Sequence, residues 1–236
     1  MLINITIPVY NEEKILKQNI NILYNFLKQN IKEDWEIVIA DNGSTDGTKE
    51  IGKSLAKKLD GLKYLCLEQK GRGRALRKAW QESKADILSY MDIDLATDLF
   101  YFPKLIEAIK QKADIAIGSR FSPEARVQRS TFRETLSRWY NRLIRFFLRA
   151  KFKDSQCGFK AISRKVLKNI VPKVRDNHWF FDTEMLVLAE RAGYKIKEIP
   201  VRWVETRNRY RKSKVKIIPT VLGYLLSILK LRLRLL

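Results

Sequence analysis

Hydrophobic and polar positions follow two alternating patterns over roughly the first 120 residues of the chain. Short runs rich in Ile, Val and Leu are separated by longer segments in which apolar residues recur every three or four positions, the spacing of a helix face. The short runs lie at residues 2–9, 35–40, 62–67, 87–91 and 114–117. Strands that alternate with helices are typical of a parallel sheet, because each parallel pair needs a crossover that is usually helical. We therefore predict an α/β fold with a mainly parallel sheet flanked by helices.

The first helix is predicted to follow the strand that ends near Pro8. We expect Asn11 to cap this helix, because its short polar side chain can accept a hydrogen bond from a backbone N–H of the first turn. Glu12 and Glu13 would then lie where the helix dipole favours negative charge.

Two aspartates follow directly on the apolar run 87–91, in the sequence Asp92-Ile93-Asp94. Ligands of open parallel sheets bind at the carboxyl ends of strands, and residues two apart on a continuing strand share a face. Two carboxylates that close need a cation between them or a shared proton. Oxygen ligands suit Mg²⁺ or Mn²⁺, which take one or two carboxylates together with substrate phosphates. A lone Asp-x-Asp also occurs in solvated turns, so the pair alone leaves both interpretations open.

The segment 70–75, Lys-Gly-Arg-Gly-Arg-Ala, is a partial glycine-rich turn that leads into a helix. The third glycine of a dinucleotide-binding loop is missing, since Leu76 occupies that position. The segment fits a phosphate-binding turn or an ordinary tight turn equally well. Its three basic residues favour an anion.

The charge balance indicates an anionic partner. The chain has 47 Lys and Arg against 26 Asp and Glu, a net charge of +21. Such an excess is typical of proteins that bind nucleic acid or an anionic membrane surface. On a helix over 136–150, four arginines fall within a stripe of roughly 60° beside a broad aromatic and aliphatic face; they are Arg138, Arg142, Arg145 and Arg149. This pattern resembles a helix at a membrane interface, and a core helix with one solvated face is the alternative.

A second apolar segment with basic flanks lies near the C-terminus, at residues 217–229. A helix of that length spans about 20 Å, too short for a bilayer core of about 30 Å. No uncharged apolar stretch is long enough for a transmembrane helix, and residues 1–9 do not have the pattern of a signal peptide. We therefore expect peripheral attachment to the cytoplasmic face of a membrane.

Cysteine and histidine are scarce, which narrows the possible chemistry. Cys66 and Cys157 are the only cysteines, so a disulfide framework is not expected and a reducing compartment is. His178 is the only histidine. A zinc site built on histidines and a Ser-His-Asp triad are therefore disfavoured.

Seven segments, in this order along the chain, resemble the inverting nucleotide-sugar glycosyltransferases of the GT-A fold. Within that group they are similar to the polyprenyl-phosphate sugar synthases, most of all to the dolichyl-phosphate β-glucosyltransferases and more distantly to the mannose synthases. The segments are 7–13, 41–48, 70–75, 91–98, 118–120, 154–160 and 179–184. The resemblance covers about residues 3–215. It implies a GT-A domain over 1–215 that includes the interfacial helix at about 132–150, followed by a basic membrane-associating segment over 216–236.

The resemblance also implies roles for individual residues. It places the nucleotide-sugar donor on Pro8, Tyr10, Glu12, Asp41, Lys70, Arg74, Asp92 and Lys214. It places the acceptor phosphate on Arg120, Arg133 and Ser137. It implies that Mg²⁺ or Mn²⁺ is held by Asp92 and Asp94, and that the catalytic residues are Asp94, Asp182 and Arg120.

The implied reaction is a direct displacement in which a lipid phosphate attacks C1 of the donor sugar with inversion. A phosphate monoester has a second pKa of about 6, so this nucleophile is ionised at neutral pH without a general base. We therefore expect Asp182 to orient a sugar hydroxyl, and its Asn variant to keep a good part of the rate.

One departure bears on the sugar. Mannose synthases often carry Gln as a further metal ligand where this chain has Ala96, and the glucosyl relatives carry Ala there. UDP-glucose is thus the expected donor, with GDP-mannose as the alternative, and the third metal ligand stays open. The glucosyl relatives usually have an N-terminal membrane helix, and residues 1–30 do not show the pattern of one. We therefore expect membrane attachment through the amphipathic helix and the C-terminal segment.

Two other functions stay open. A glycosyltransferase that acts on a hydroxyl acceptor would need Asp182 as a base. A nucleic-acid-binding module would use the positive charge but would leave the aspartate pair unexplained, so we expect no nucleic-acid partner.

Overall fold

The computed structural model describes residues 1–205 and 217–235 of the chain. The strands are β1 (Leu2–Val9), β2 (Asp34–Asp41), β3 (Leu62–Cys66), β4 (Ile87–Met91), β5 (Ile115–Ser119), β6 (Arg126–Gln128), β7 (Phe159–Ser163), β8 (Ile196–Pro200) and β9 (Arg202–Val204). The α-helices are α1 (Glu13–Asn30), α2 (Thr48–Lys58), α3 (Arg72–Glu82), α4 (Phe102–Lys110), α5 (Thr131–Leu148), α6 (Arg164–Asn169), α7 (Phe181–Arg191) and α8 (Ile217–Arg234). Short 3₁₀ turns lie at Leu99–Tyr101 and Val171–Lys173.

Seven of these strands form one sheet in the order β3-β2-β1-β4-β7-β5-β8. All neighbours are parallel except β7, which runs antiparallel to both β4 and β5. The predicted alternation of strands and helices is confirmed, and each of the five predicted strands is present with its ends shifted by at most two residues. A small parallel pair, β6 and β9, lies outside the main sheet.

The central strands are mostly apolar and buried, because helices cover both faces of the sheet. In β4, Ile87 and Met91 pack on the face that α1, α2 and α4 cover. Leu88 and Tyr90 point to the other face, where α3, α5, α6 and α7 lie. This two-sided burial fixes the end of β4, and thus the aspartate pair, at the centre of the carboxyl edge of the sheet.

The prediction for the cap of α1 is wrong. Asn11 has a φ of 54°, in the left-handed region, and Glu12 is the residue that precedes the helix, with no side-chain cap. The side chain of Asn11 turns to the β2–α2 loop, where its Oδ1 accepts a hydrogen bond from the backbone N–H of Thr45 at 2.7 Å. A contact across the sheet edge has replaced the local cap.

Helix α8 packs onto the domain. Ile228 and Leu231 are buried in the core on the α5 and α7 side, and Arg234 forms an ion pair with Glu184 at 2.6 Å. The opposite side of α8 exposes leucines to solvent. Within the described residues, no helix has the length and apolar character needed to cross a bilayer.

Candidate active site

A cavity of about 420 Å³ opens at the carboxyl end of β4. Its polar floor contains Arg72, Asp92, Asp94, Arg120 and Asp182. Its apolar wall comes mainly from α5 and α8, through Leu136, Trp139, Leu143, Tyr224 and Leu225. The structure brings the two aspartates of the sequence analysis together, because both line this cavity.

The aspartates reach the cavity through a turn and not along a continuing strand. Strand β4 ends at Met91, and the backbone N–H of Leu95 donates to the carbonyl of Asp92 at 3.1 Å. Leu95 has a φ of 48°. The turn also lets the backbone N–H of Ala96 donate to Asp94 Oδ1 at 3.3 Å.

Gly158 leaves the space that the Asp92 side chain occupies. A Cβ at this position would lie 2.0 Å from Asp92 Oδ2, so a larger residue would displace the carboxylate. Gly158 lies just before β7, and its carbonyl accepts a hydrogen bond from the backbone N–H of Asp92 at 3.1 Å. Sequence reasoning included Gly158 in a motif but did not find this role, which depends on β7 lying beside β4.

Arg72 joins the aspartate pair to α7. It is buried in the first turn of α3, and its guanidinium bonds Asp92 at 2.9 Å and Asp182 at 2.5 Å. The sequence analysis noted a basic segment here but assigned the donor to its neighbours Lys70 and Arg74. The sequence feature that could have pointed to Arg72 is its position, as a basic residue in the first turn of a helix directly after a glycine.

Asp182 is bonded on both oxygens by buried protein groups. Arg72 holds Oδ2, and Tyr90 donates its hydroxyl to Oδ1 at 2.6 Å. Lys160, which is fully buried, donates to the Tyr90 hydroxyl at 3.0 Å and to the Cys157 carbonyl, and its Nζ lies 3.8 Å from Asp182. Tyr90 and Lys160 were not among the predicted site residues.

This environment keeps Asp182 ionised. Burial raises the pKa of a carboxyl group, but the charges of Lys160 and Arg72 outweigh it and hold the pKa of Asp182 below its ordinary value. A carboxylate with a lowered pKa and two strong donors is a poor proton acceptor at neutral pH. The geometry thus supports the expectation that Asp182 is not a general base, and its contact with a sugar hydroxyl stays a prediction.

Arg120 forms a buried bidentate pair with Asp154. Its Nε and a terminal nitrogen lie 2.7 and 2.9 Å from the two carboxylate oxygens, and its backbone N–H donates at 3.0 Å. Burial raises the pKa of Asp154 while Arg120 lowers it more strongly, so the net shift is downward. Arg120 lines the cavity as predicted, with much of its guanidinium already bound.

Asp154→Asn is expected to lower the free energy of unfolding by about 3–5 kcal/mol at neutral pH, because it leaves Arg120 as an uncompensated buried charge. A lowered folded pKa means that Asp154 stabilises the protein above its unfolded pKa of about 3.9 and that this contribution is lost as pH falls. Urea unfolding at pH 7 and at progressively lower pH measures both effects. The exposed Asp60→Asn is the control, and equal stability of the two variants would contradict the prediction.

The other predicted acceptor residues lie on α5. Arg133 forms an ion pair with Glu205 at 2.8 Å. The hydroxyl of Ser137 accepts a hydrogen bond from Arg129 at 3.3 Å. Arg129 lines the cavity between Arg120 and Ser137 and was not predicted as a site residue.

The predicted donor residues gather beside the cavity, at the carboxyl ends of β1 and β2. Asp41 accepts hydrogen bonds from the Tyr64 hydroxyl at 2.6 Å and from the Ser44 backbone at 2.9 Å. Lys70 lies 4.5 Å above the ring centre of Tyr10. Of the remaining members, Pro8 is buried in β1, Glu12 donates its backbone N–H to Thr48 at 2.8 Å, and Arg74 donates to the Lys70 carbonyl at 2.9 Å. Lys214 lies outside the described residues.

The carboxylate oxygens of the site fit a hard divalent cation as its ligands. Asp92 and Asp94 present carboxylate oxygens to one cavity, and Mg²⁺ or Mn²⁺ is commonly held by two carboxylates with substrate phosphates completing the shell. Within residues 1–205 and 217–235, no three acidic, cysteine or histidine side chains gather into a metal-binding group. The identity of a third metal ligand, which the sequence left undecided, therefore stays undecided.

The sequence profile of glycosyl transferase family 2 matches residues 4–171. The chain belongs to glycosyl transferase family 2. It is 37% identical over 224 residues to glycosyltransferase AglD of Haloferax volcanii, covering 94% of this chain and 35% of that protein. It is 32% identical over 225 residues to dolichyl-phosphate β-glucosyltransferase of Saccharomyces cerevisiae, covering 87% of this chain and 67% of that protein. The chain thus spans about a third of the first relative and two thirds of the second.

Solved structures support the fold. Glucosyl-3-phosphoglycerate synthase from Mycobacterium tuberculosis, crystallised with uridine diphosphate, superposes with a TM-score of 0.68 at 17% identity, covering 98% of this chain and 79% of that one. Another structure of that enzyme, crystallised with Mn²⁺, uridine diphosphate and phosphoglyceric acid, also gives a TM-score of 0.68, and covers 96% of this chain and 78% of that one. The predicted GT-A-like fold is confirmed, and the chain is a glycosyltransferase.

Proposed function

We propose that this glycosyltransferase moves glucose from UDP-glucose to a polyprenyl phosphate such as dolichyl phosphate, with inversion to a β-linked product. One observation carries the proposal: a single cavity joins an aspartate pair, a group of arginines and an apolar wall. A diphosphate, a phosphate and a hydrocarbon chain would meet these three surfaces in that order. The dolichyl-phosphate β-glucosyltransferases among the relatives, at about 30% identity, act on such an acceptor by name.

The donor would bind along the carboxyl ends of β1, β2 and β4. Asp41 and the Tyr10–Lys70 pair lie where the nucleoside would sit, and Asp92 and Asp94 where the diphosphate would reach the cavity. The two aspartates would hold Mg²⁺ or Mn²⁺, which supplies neutralisation of the charge that develops on the leaving diphosphate. Arg72 would position Asp92 from the opposite side.

The acceptor phosphate would enter between the aspartates and α5. Its oxygen forms a bond to C1 of glucose while the bond from C1 to the diphosphate oxygen breaks, and both electrons of that bond leave with UDP. The attacking phosphate is already ionised at neutral pH, so no proton must be removed. The arginines of the cavity suit this group because a guanidinium binds phosphate through two parallel hydrogen bonds.

The donor is tested with purified protein, Mg²⁺ or Mn²⁺, detergent and a short polyprenyl phosphate, with radiolabelled UDP-glucose and GDP-mannose offered separately. The proposal predicts label in the organic phase from UDP-glucose only. Transfer from GDP-mannose alone would overturn the sugar and keep the mechanism. Absence of a lipid product from both donors would contradict the proposal.

We also propose that the exposed face of α5 and α8 lies on the anionic, cytoplasmic surface of a membrane. Phe146 is 79% exposed, Trp139 57% and Leu226 58%, and α5 and α8 pack against each other. Arg138, Arg142 and Arg145 are exposed on the same helix as the aromatics. Aromatic and leucine side chains beside arginines suit a headgroup boundary, where anionic lipids attract the charge. The cavity wall formed by α5 and α8 would then open toward the bilayer.

Phe146→Ser is expected to weaken binding to anionic vesicles by about tenfold, because it removes one large apolar side chain from the membrane contact. Flotation with vesicles that contain an anionic phospholipid, at two salt concentrations, measures the partition. Ile22→Ser is the control, since Ile22 is exposed on α1, away from α5 and α8. Equal loss in both variants would contradict the assignment of this face. RNA retention in place of vesicle binding would overturn the expectation of no nucleic-acid partner.

A further inference from the structure

Three arginines line the cavity between the aspartate pair and the apolar wall: Arg120, Arg129 and Arg133. Two of them have a carboxylate partner. Arg120 is paired with Asp154 at 2.7 Å and Arg133 with Glu205 at 2.8 Å. In the part of the chain that the structure describes, Arg129 forms no ion pair, so its charge is the least compensated of the three.

The surroundings of Arg129 hold its guanidinium in place but leave one of its hydrogen-bond donors without an acceptor. The group stacks 5.1 Å from the ring centre of Trp203, and one terminal nitrogen donates to the Ser137 hydroxyl at 3.3 Å. The Nε atom is buried and has no hydrogen-bond partner among the described residues. Buried donors are rarely left unpaired in folded proteins, and each exception asks for a reason. A bound anion in the cavity would give this guanidinium group its partner.

The electrostatic environment agrees with the geometry. Burial and the nearby Arg120 lower the pKa of Arg129 to about 10. Arg129 nevertheless stays protonated at neutral pH, so it offers the cavity a full positive charge.

We propose that Arg129 binds the phosphate of the acceptor, with the Ser137 hydroxyl as a second donor. This inference rests on the proposed function and deepens it. Arg120 and Arg133, to which the resemblance assigns the phosphate, are positioning residues in this arrangement, because their guanidinium groups are held by Asp154 and Glu205. The planar guanidinium of Arg129 is held against Trp203 and would meet two phosphate oxygens at once.

Arg129→Gln tests the proposal, with Arg126→Gln as the matched control. Arg126 begins β6, the strand that directly precedes Arg129, and is exposed. Steady-state kinetics are measured separately for polyprenyl phosphate and for UDP-glucose. A hydrogen-bonded charge lost from the phosphate is expected to raise the acceptor KM about 10- to 100-fold. The donor KM should stay within about twofold, and the control should match the native protein.

Calorimetric titration with farnesyl phosphate, with farnesol and with inorganic phosphate gives a readout that does not depend on turnover. The native protein is expected to bind farnesyl phosphate more tightly than the other two, and Arg129→Gln to lose that advantage. Arg129→Lys keeps the positive charge but not the planar guanidinium, so it should fold even if Arg129→Gln does not. It should bind farnesyl phosphate more weakly than the native protein does.

The outcomes separate the two claims. Suppose that the native protein transfers glucose and that Arg129→Gln keeps the native acceptor KM and the native affinity for farnesyl phosphate. This result would overturn the role of Arg129 and leave the proposed function standing. Farnesyl phosphate binding that depends on Arg129, without glucosyl transfer, would support the site and overturn the function. Equal effects on donor and acceptor would assign Arg129 a structural role and contradict the proposal.

Discussion

Asp94→Asn is expected to lower the rate of glucosyl transfer by about 10³-fold or more, which corresponds to about 4 kcal/mol of transition-state stabilisation. The carboxylates of Asp92 and Asp94 line the same cavity and would hold the cation that neutralises the leaving diphosphate. An amide lacks the charge that binds a hard cation, so the loss should appear in kcat and in the affinity for Mn²⁺. Asp92→Asn should give a comparable loss and should also free Arg72 from one of its two partners.

Asp60→Asn is the matched control, because Asp60 is an exposed aspartate in the turn between α2 and β3. The assay follows radiolabelled glucose at saturating acceptor, with and without a chelator. The native protein and the control should lose activity on chelation and recover it when Mg²⁺ or Mn²⁺ returns. Asp94→Asn with near-native rates, or native activity that survives chelation, would contradict the role of the aspartate pair.

Asp182→Asn is expected to lower the free energy of unfolding by about 3–5 kcal/mol, since Arg72 and the buried Lys160 both lose a counter-charge. The rate of the folded protein should fall about 10- to 100-fold, as happens when a residue that supports a metal ligand is removed. This loss is larger than the sequence alone suggested, because Asp182 holds Arg72 beside Asp92. Denaturant unfolding and single-turnover transfer at a temperature where the variant is folded measure the two effects.

The size of the rate loss distinguishes two roles for Asp182. A group that only holds Arg72 can be replaced without changing the shape of the pH–rate profile. A general base would show a loss of about 10⁴-fold or more and the disappearance of one limb of that profile. Such a result would favour a hydroxyl acceptor and contradict a phosphate nucleophile. Tyr90→Phe, which removes a donor to Asp182 without changing charge, should produce a smaller loss of the same kind.

The strand order shows which parts of the fold local sequence could predict. Ile87–Met91 was predicted as a buried strand because its pattern is local, and β4 has these bounds. The antiparallel β7 between β4 and β5 was not predicted, because its position depends on a crossover that no nearby residue encodes. The position of Gly158 against Asp92 follows from that insertion.

Helix α5 shows how far periodicity reaches. The spacing of apolar residues predicted a helix over 136–150 with a stripe of four arginines, and Arg138, Arg142 and Arg145 are exposed on α5. The prediction is wrong for Arg149, which follows the last helical residue with a φ of 55°. The aromatic residues could not be divided by periodicity alone. Tyr140 is buried against Tyr224 of α8 while Phe146 is exposed, and the position of α8 decides between them.

Site residues that belong to a recognisable motif could be predicted from the sequence. Residues whose role depends on which charges they pair with in the folded protein were missed. Arg72 and Asp182 are 110 residues apart in the sequence, and nothing local to either indicates the ion pair. Likewise, Arg129 differs from Arg120 and Arg133 in forming no ion pair with a carboxylate among the described residues, which is a property of the folded chain.

The most direct test of the central claim compares polyprenyl phosphate with the polyprenol of the same length as acceptors for UDP-glucose. If an ionised phosphate is the nucleophile in this cavity, label moves only to the phosphate, and NMR of the product shows a β-linked glucose on the phosphate oxygen. Transfer to the polyprenol, or an α-linked product, would contradict the account.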